Sequence, residues 1–273
     1  MTKRRLGHVM ILLAGVLLCL PPLAGAASVV FSDAGAIQDT VDAFRAAIGG
    51  VNNGNVAGPL ATGRREINWD GGGAAAPVLT NMPKDLFKNN RGAFFGPPST
   101  TFSISGAPDP RFGNINAAYP DSFTTFSSPR LFSPTNSLLT EQVFFVPGTN
   151  ISATTTAFGA VFTDIDLPST TSIEYFAPNG TSLGKFFAPT ANNGLSFLGV
   201  QFNGGELVSK VHLTTGNTIL GPADSNGNPF DVVVMDDFIY KEPAAIPEPS
   251  MLLLMGTGLA GILWRRKQLG LCR

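Results

Sequence analysis

Between Phe158 and Tyr240 the sequence presents six apolar or alternating runs in succession, Phe158–Asp164, Ser172–Ala177, Ser182–Ala188, Leu195–Phe202, Val208–Thr214 and Val232–Tyr240, with no helical period between them. That absence narrows the fold more than any motif does, because parallel strands need crossover helices and this stretch has none. The strands are therefore expected to pair with antiparallel neighbours. Ala177-Pro-Asn-Gly-Thr181 supplies one hairpin turn: Pro178 fixes φ, while Asn179 and Gly180 tolerate the positive φ that reverses a twisted pair. Upstream, Phe102/Ile104, Phe123/Phe126 and Val143–Val146 are shorter runs separated by turns rich in Pro and Gly. The pattern predicts an all-β, antiparallel β-sandwich or jelly roll, and the lack of a fixed repeat disfavours a solenoid or propeller.

One helix precedes these strands. Ile37, Val41, Phe44 and Ile48 recur at helical spacing, with Ser32-Asp33 as the expected N-cap and Gly49-Gly50 as the stop. Its polar face has too few Lys and Arg for a membrane surface, so it is expected to pack on a sheet. In Arg64–Asp70, Ile67 and Trp69 alternate with polar residues and predict a short strand; Arg64 and Arg65, side by side, could clamp a carboxylate or an acidic sugar, but adjacent surface arginines more often read as solvated. Gly71–Pro77 is a loop without the G-x-G-x-x-G spacing of a dinucleotide site, and Pro83–Phe87 suits a helical turn.

The two ends differ from the middle. Residues 1–26 read as a secretory signal peptide: Lys3-Arg4-Arg5, the apolar run Val9–Leu20, then Ala24-Gly25-Ala26 for cleavage. Residues 27–245 form the ectodomain and 246–273 a terminal segment. The whole chain has a net charge of −1, but residues 27–246 carry 11 Lys and Arg against 18 Asp and Glu. An acidic domain without a basic stripe excludes nucleic acid as a partner class, since phosphate neutralisation needs clustered cations. Cys19 and Cys272 both lie in the end segments, so the ectodomain can build no disulfide framework or thiolate metal site. His212 is its only histidine; it alternates with Val211 and Leu213, which puts it on the polar face of a strand.

Carboxylates are the remaining candidates. Asp164 and Asp166 are two apart, hence on one face of a regular strand, and same-side carboxylates without a basic neighbour suit a cation. Asp236 and Asp237 are adjacent, so both could join such a site only across a bulge. A structural Ca²⁺ held by Asp164 and Asp166 together with Asp236 or Asp237 is the candidate metal site; the alternative is that these carboxylates sit at strand ends, hydrated or capping turns. Asp224-Ser-Asn-Gly-Asn starts like an EF-hand loop but lacks its sixth-position Gly and twelfth-position Glu, and reads as a polar turn. No carboxylate spacing singles out a glycosidase pair, and the polar-edged aromatics Trp69, Tyr119, Tyr175 and Tyr240 are few for a sugar platform. No catalytic residue is identified, and the chain is expected not to be an enzyme.

The terminal segment places Pro247-Glu248-Pro249 before the apolar run Met251–Trp264 and the basic cluster Arg265, Arg266 and Lys267. That order resembles the PEP-CTERM sorting domain of exported bacterial proteins. The apolar run is short for a spanning helix, which usually takes roughly 20 residues, although Trp264 and snorkelling arginines extend its reach. The resemblance implies a transmembrane sorting helix, transient anchoring in the inner membrane with Arg265–Lys267 as the cytoplasmic stop, and recognition and cleavage by an exosortase. It also implies transfer to the cell surface or exopolysaccharide matrix of a Gram-negative bacterium. The expected function is that of a structural or adhesive surface protein. The alternatives are a carbohydrate-binding module of the extracellular matrix and a secreted hydrolase.

Overall fold

A computed structural model describes residues 28–108, 110–221 and 229–246. The leader, the turn begun by Asp224 and the tail from Pro247 onward, with its motif, apolar run and basic cluster, lie outside the described residues. In chain order the first half contains β1 (Ser28–Ala34), α1 (Gln38–Gly49), β2 (Arg64–Ile67), α2 (Lys88–Arg91), β3 (Ala93–Gly96), β4 (Phe102–Ile104), α3 (Tyr119–Ser122) and β5 (Phe132–Pro134). The second contains β6 (Leu139–Phe144), β7 (Ala153–Thr154), β8 (Ala157–Ile165), β9 (Ser172–Phe176), β10 (Ser182–Phe187), β11 (Ala191–Phe202), β12 (Lys210–Thr214), β13 (Val234–Lys241) and β14 (Ala244–Ala245).

The strands form an antiparallel sandwich. The larger sheet runs β1-β11-β8-β13-β5-β4, with β2 also paired to β13; the smaller runs β10-β9-β12-β6-β3, and β14 pairs with β7 in a two-stranded ribbon. All six runs between residues 158 and 240 are strands, displaced by a few residues at their ends. The turn after Ala177 is as read, with the Gly180 N–H donating to the Ala177 carbonyl and Gly180 at φ 83°.

Period-two alternation sends Phe158, Ala160 and Phe162 of β8 into the core between the sheets, while Ala157 and Val161 point the other way, under α1. Strand β8 is thus buried on both faces, and this explains its unbroken apolar sequence. Helix α1 lays Ile37, Val41, Phe44 and Ile48 on the outer face of the larger sheet. Gly159 and Gly199 oppose each other in the register of β8 and β11; a Cβ on Gly199 would lie 3.0 Å from the ring of Phe44, so the glycine pair is what lets this ring settle on bare backbone. Each such buried ring contributes roughly 1.5–3 kcal/mol relative to leaving it in water.

Two local expectations are corrected. Ser32-Asp33 does not cap α1: both residues belong to β1, whose seven positions pair with β11, and the helix starts after Ile37 without a side-chain cap. A full ladder outweighs one cap bond, and Asp33 still reaches the first turn by accepting the Thr40 hydroxyl at 2.7 Å. Phe123 and Phe126 lie in no strand; Phe123 follows α3 and packs with Phe112, Tyr119 and Leu131 in a separate cluster, while Phe126 lies against the apolar cluster beneath α1.

Candidate functional site

Asp236 and Asp237 sit where β13 slips against β8. Met235 pairs with Phe162 and Phe238 with Ala160, so β13 carries one extra residue there. This bulge overrides strand alternation and brings both carboxyls to one hydroxyl, with Ser127 Oγ 3.1 Å from Asp236 Oδ1 and 2.6 Å from Asp237 Oδ1. Asp236 Oδ2 also accepts the Phe126 N–H at 2.6 Å. Ser127 has one proton for two carboxyl oxygens and the Asn68 carbonyl at 3.3 Å, so the short contacts are best satisfied when a carboxyl itself carries a proton. Burial, then the neighbouring charge of Asp237, pushes Asp236 well above the usual carboxylate range; burial raises Asp237 to about 6, against the pull of Ser127 and Arg45.

Arg45 of α1 closes this site from outside. Its guanidinium lies 3.4 Å from Asp237 Oδ2, holds Glu66 through two bonds of 3.0 Å and Asp42 at 3.1 Å, and Arg64 reaches Glu66 at 2.5 Å. Asp236 is fully buried and Asp237 only 2% exposed, so neither carboxyl is presented to solvent in this conformation.

The other two candidate ligands have different partners. Asp164, at φ 67° in the distorted end of β8, accepts the Asn193 N–H at 2.8 Å. Asp166 lies beyond the strand and donates its backbone N–H to Asp231 Oδ1 at 3.0 Å. The regular alternation that would align Asp164 with Asp166 is therefore broken. Among the described residues, no three His, Cys, Asp or Glu side chains come together in a way that could hold a metal ion.

His212 is on the polar face as expected, 2.8 Å from Glu141. Arg65 is not solvated. It is fully buried and grips Glu242 through bonds of 2.5 and 2.7 Å, while Nη1 donates to the carbonyls of Gly54, Val56 and Asn90. Glu242 in turn accepts the Asn53 amide at 2.8 Å and the Leu60 N–H at 3.2 Å. The two members are 177 positions apart, so no local pattern in the sequence links them.

A cleft of about 380 Å³ opens beside β2. Its base includes Trp69, held at φ 63° by stacking on Phe132 at 4.0 Å and by its indole N–H, which donates to the Asp236 carbonyl at 2.8 Å. None of the four polar-edged aromatics is an exposed platform: Trp69 is 2% exposed and the three tyrosines fully buried. Burial raises the Tyr175 and Tyr240 hydroxyls far above the usual phenol range. Arg91 and Arg130 also line the cleft, with the carboxamides of Asn55, Asn68 and Asn90.

The family model of the PEP-CTERM protein-sorting motif matches residues 245–267 and so covers the tail alone. Comparison with curated proteins and with solved structures gave no match. Among the described residues no helix is long and apolar enough to cross a membrane; the sorting segment lies outside them.

Proposed function

We propose that this chain, which carries a PEP-CTERM sorting motif and is accordingly an exported, transiently membrane-anchored exosortase substrate, delivers its β-sandwich to the cell surface or exopolysaccharide matrix as a structural or adhesive, non-catalytic protein. The observation that carries this reading is the position of the last described strand, directly before the motif. Ala244 and Ala245 pair with Thr154 and Ala153, the Ile246 N–H reaches the Ser152 carbonyl at 3.4 Å, and the next residue is Pro247 of the motif. Both sheets and the Arg65–Glu242 pair are built from residues upstream of the motif, so a chain processed there would keep them all. The sealed position of Asp236 and Asp237 supports the non-catalytic assignment.

The triple substitution Pro247→Ala/Glu248→Ala/Pro249→Ala is the test. The variant is expected to stay in the inner membrane fraction with its basic cluster on the cytoplasmic side. Delivery of that variant at the wild-type level would show that the motif plays no part in sorting.

A second reading, a carbohydrate-binding module, is favoured by the cleft, whose wall of carboxamides and arginines offers hydrogen bonds suited to hydroxyls and whose volume lies in the small-molecule range.

A further inference from the structure

Arg91 and Arg130 are the unusual members of the cleft. Their neighbours Arg45, Arg64 and Arg65 each pair with a carboxylate, whereas Arg91 and Arg130 have none within ion-pair distance among the described residues. Protein carbonyls hold them instead. Arg130, 5% exposed, donates to the carbonyls of Ser105, Gly71 and Pro77 at 2.5, 2.6 and 3.0 Å. Arg91 donates from Nε to the Glu66 carbonyl at 2.7 Å and from Nη1 to Asn55 Oδ1 and the Asn90 carbonyl, and its Nη2 bonds no described residue. Burial pushes both guanidiniums below their usual range, helped at Arg91 by the like charge of Arg65.

Asp70 and Glu66 attract Arg130 and Arg91 from beyond ion-pair distance, but a buried and a half-buried cation beside one cavity, neither in a direct ion pair, mark a place that an incoming anion would stabilise. The cleft is also lined by Asn90, whose buried side-chain oxygen has no hydrogen-bond partner among the described residues, and by the exposed residues Asn55 and Asn68. Leu79, Leu86, Phe87 and Ile104 complete it with apolar surface.

We infer that this cleft binds a hydroxylated organic carboxylate, a sugar acid of the uronate kind, its carboxylate taken by the arginines, its hydroxyls by the asparagines and its carbon face by the leucines. The inference rests on the carbohydrate-binding reading and names the ligand class of that same cleft.

The experiment is calorimetric titration of the full chain, in an uncharged detergent without a sugar headgroup, with D-glucuronate, D-glucose and acetate. Glucuronate is expected to bind at least about tenfold more tightly than either control, which is the scale of one charge-assisted hydrogen bond, and to weaken as salt is raised. Leu86→Glu puts a negative charge on an exposed residue of the cleft lining while keeping both arginines, and should weaken glucuronate at least about tenfold more than it weakens glucose. Arg91→Gln should do the same; because Arg91 also ties down the Glu66 carbonyl, Leu86→Glu keeps the test independent of folding. Equal affinity for glucose and glucuronate would overturn the anion assignment while sparing the carbohydrate reading. Acetate binding as tightly as glucuronate would reduce the cleft to a simple anion site and overturn the inference, and failure of both sugars would remove both ideas.

Discussion

Glu242→Ala is expected to destabilise the domain by about 3–5 kcal/mol, because it leaves the fully buried guanidinium of Arg65 without its counter-charge. Arg65 keeps its carbonyl contacts in the variant, but these carry only partial charge. The loop holding Asn53 and Leu60 also loses the carboxylate that both donate to. Lys210→Ala is the matched control. It breaks an ion pair with Glu141 at 2.9 Å whose lysine side chain is 32% exposed, and pairs of that kind are worth about 0–1 kcal/mol. Urea unfolding of the 27–246 fragment reads both. Similar losses in the two variants would mean that the buried pair does not hold β2, β13 and their loop together.

The second large effect is a stability maximum in mild acid. Asp236 and Asp237 both titrate above their unfolded value near 3.9, so the folded state binds the extra protons. Their contribution is complete below about pH 4 and is lost as pH rises through their folded pKa values, for Asp237 through about 6. A shift of this size corresponds to roughly 3 kcal/mol for Asp237 alone. Glu141 works in the opposite direction: burial opposes its charge, but Lys210 and His212 hold it below the usual range, so its share is lost as pH falls. The urea midpoint should therefore decline between about pH 4 and 7, and Asp236→Asn/Asp237→Asn, which mimics the protonated pair, should flatten that decline. A wild-type midpoint that rises steadily over the same interval would contradict the protonated pair.

Much of the architecture was legible because it depends on local pattern. Alternation in Val208–Thr214 is enough to place Val211 and Leu213 inward and His212 outward, and the spacing of Ile37, Val41, Phe44 and Ile48 is enough for α1. Strand β1 was missed because Ser28–Ala34 is an edge strand, largely exposed, with little alternation to betray it. The sites were less legible for a related reason. Asp236 and Asp237 stand out as carboxylates within an apolar strand, but what they meet depends on a bulge and on Ser127 and Arg45, which are remote in sequence. Arg65 looks like any surface arginine until Glu242 is folded against it. The cleft collects Asn55 and Arg130 from two loops and Arg91 from the end of α2, so no spacing announces it.

The tail was legible in full as a motif, because its meaning lies in order and composition: rigid Pro247-Glu-Pro, apolar run, basic cluster. The processing proposed for that motif would leave a covalent mark on the chain. Intact-mass measurement of the protein recovered from the cell envelope and extracellular matrix tests for that mark most directly. The mass is expected to correspond to a chain that starts near Ala27 and has lost Arg265, Arg266, Lys267 and everything after them. A mass that still includes Arg273 would contradict processing at the motif.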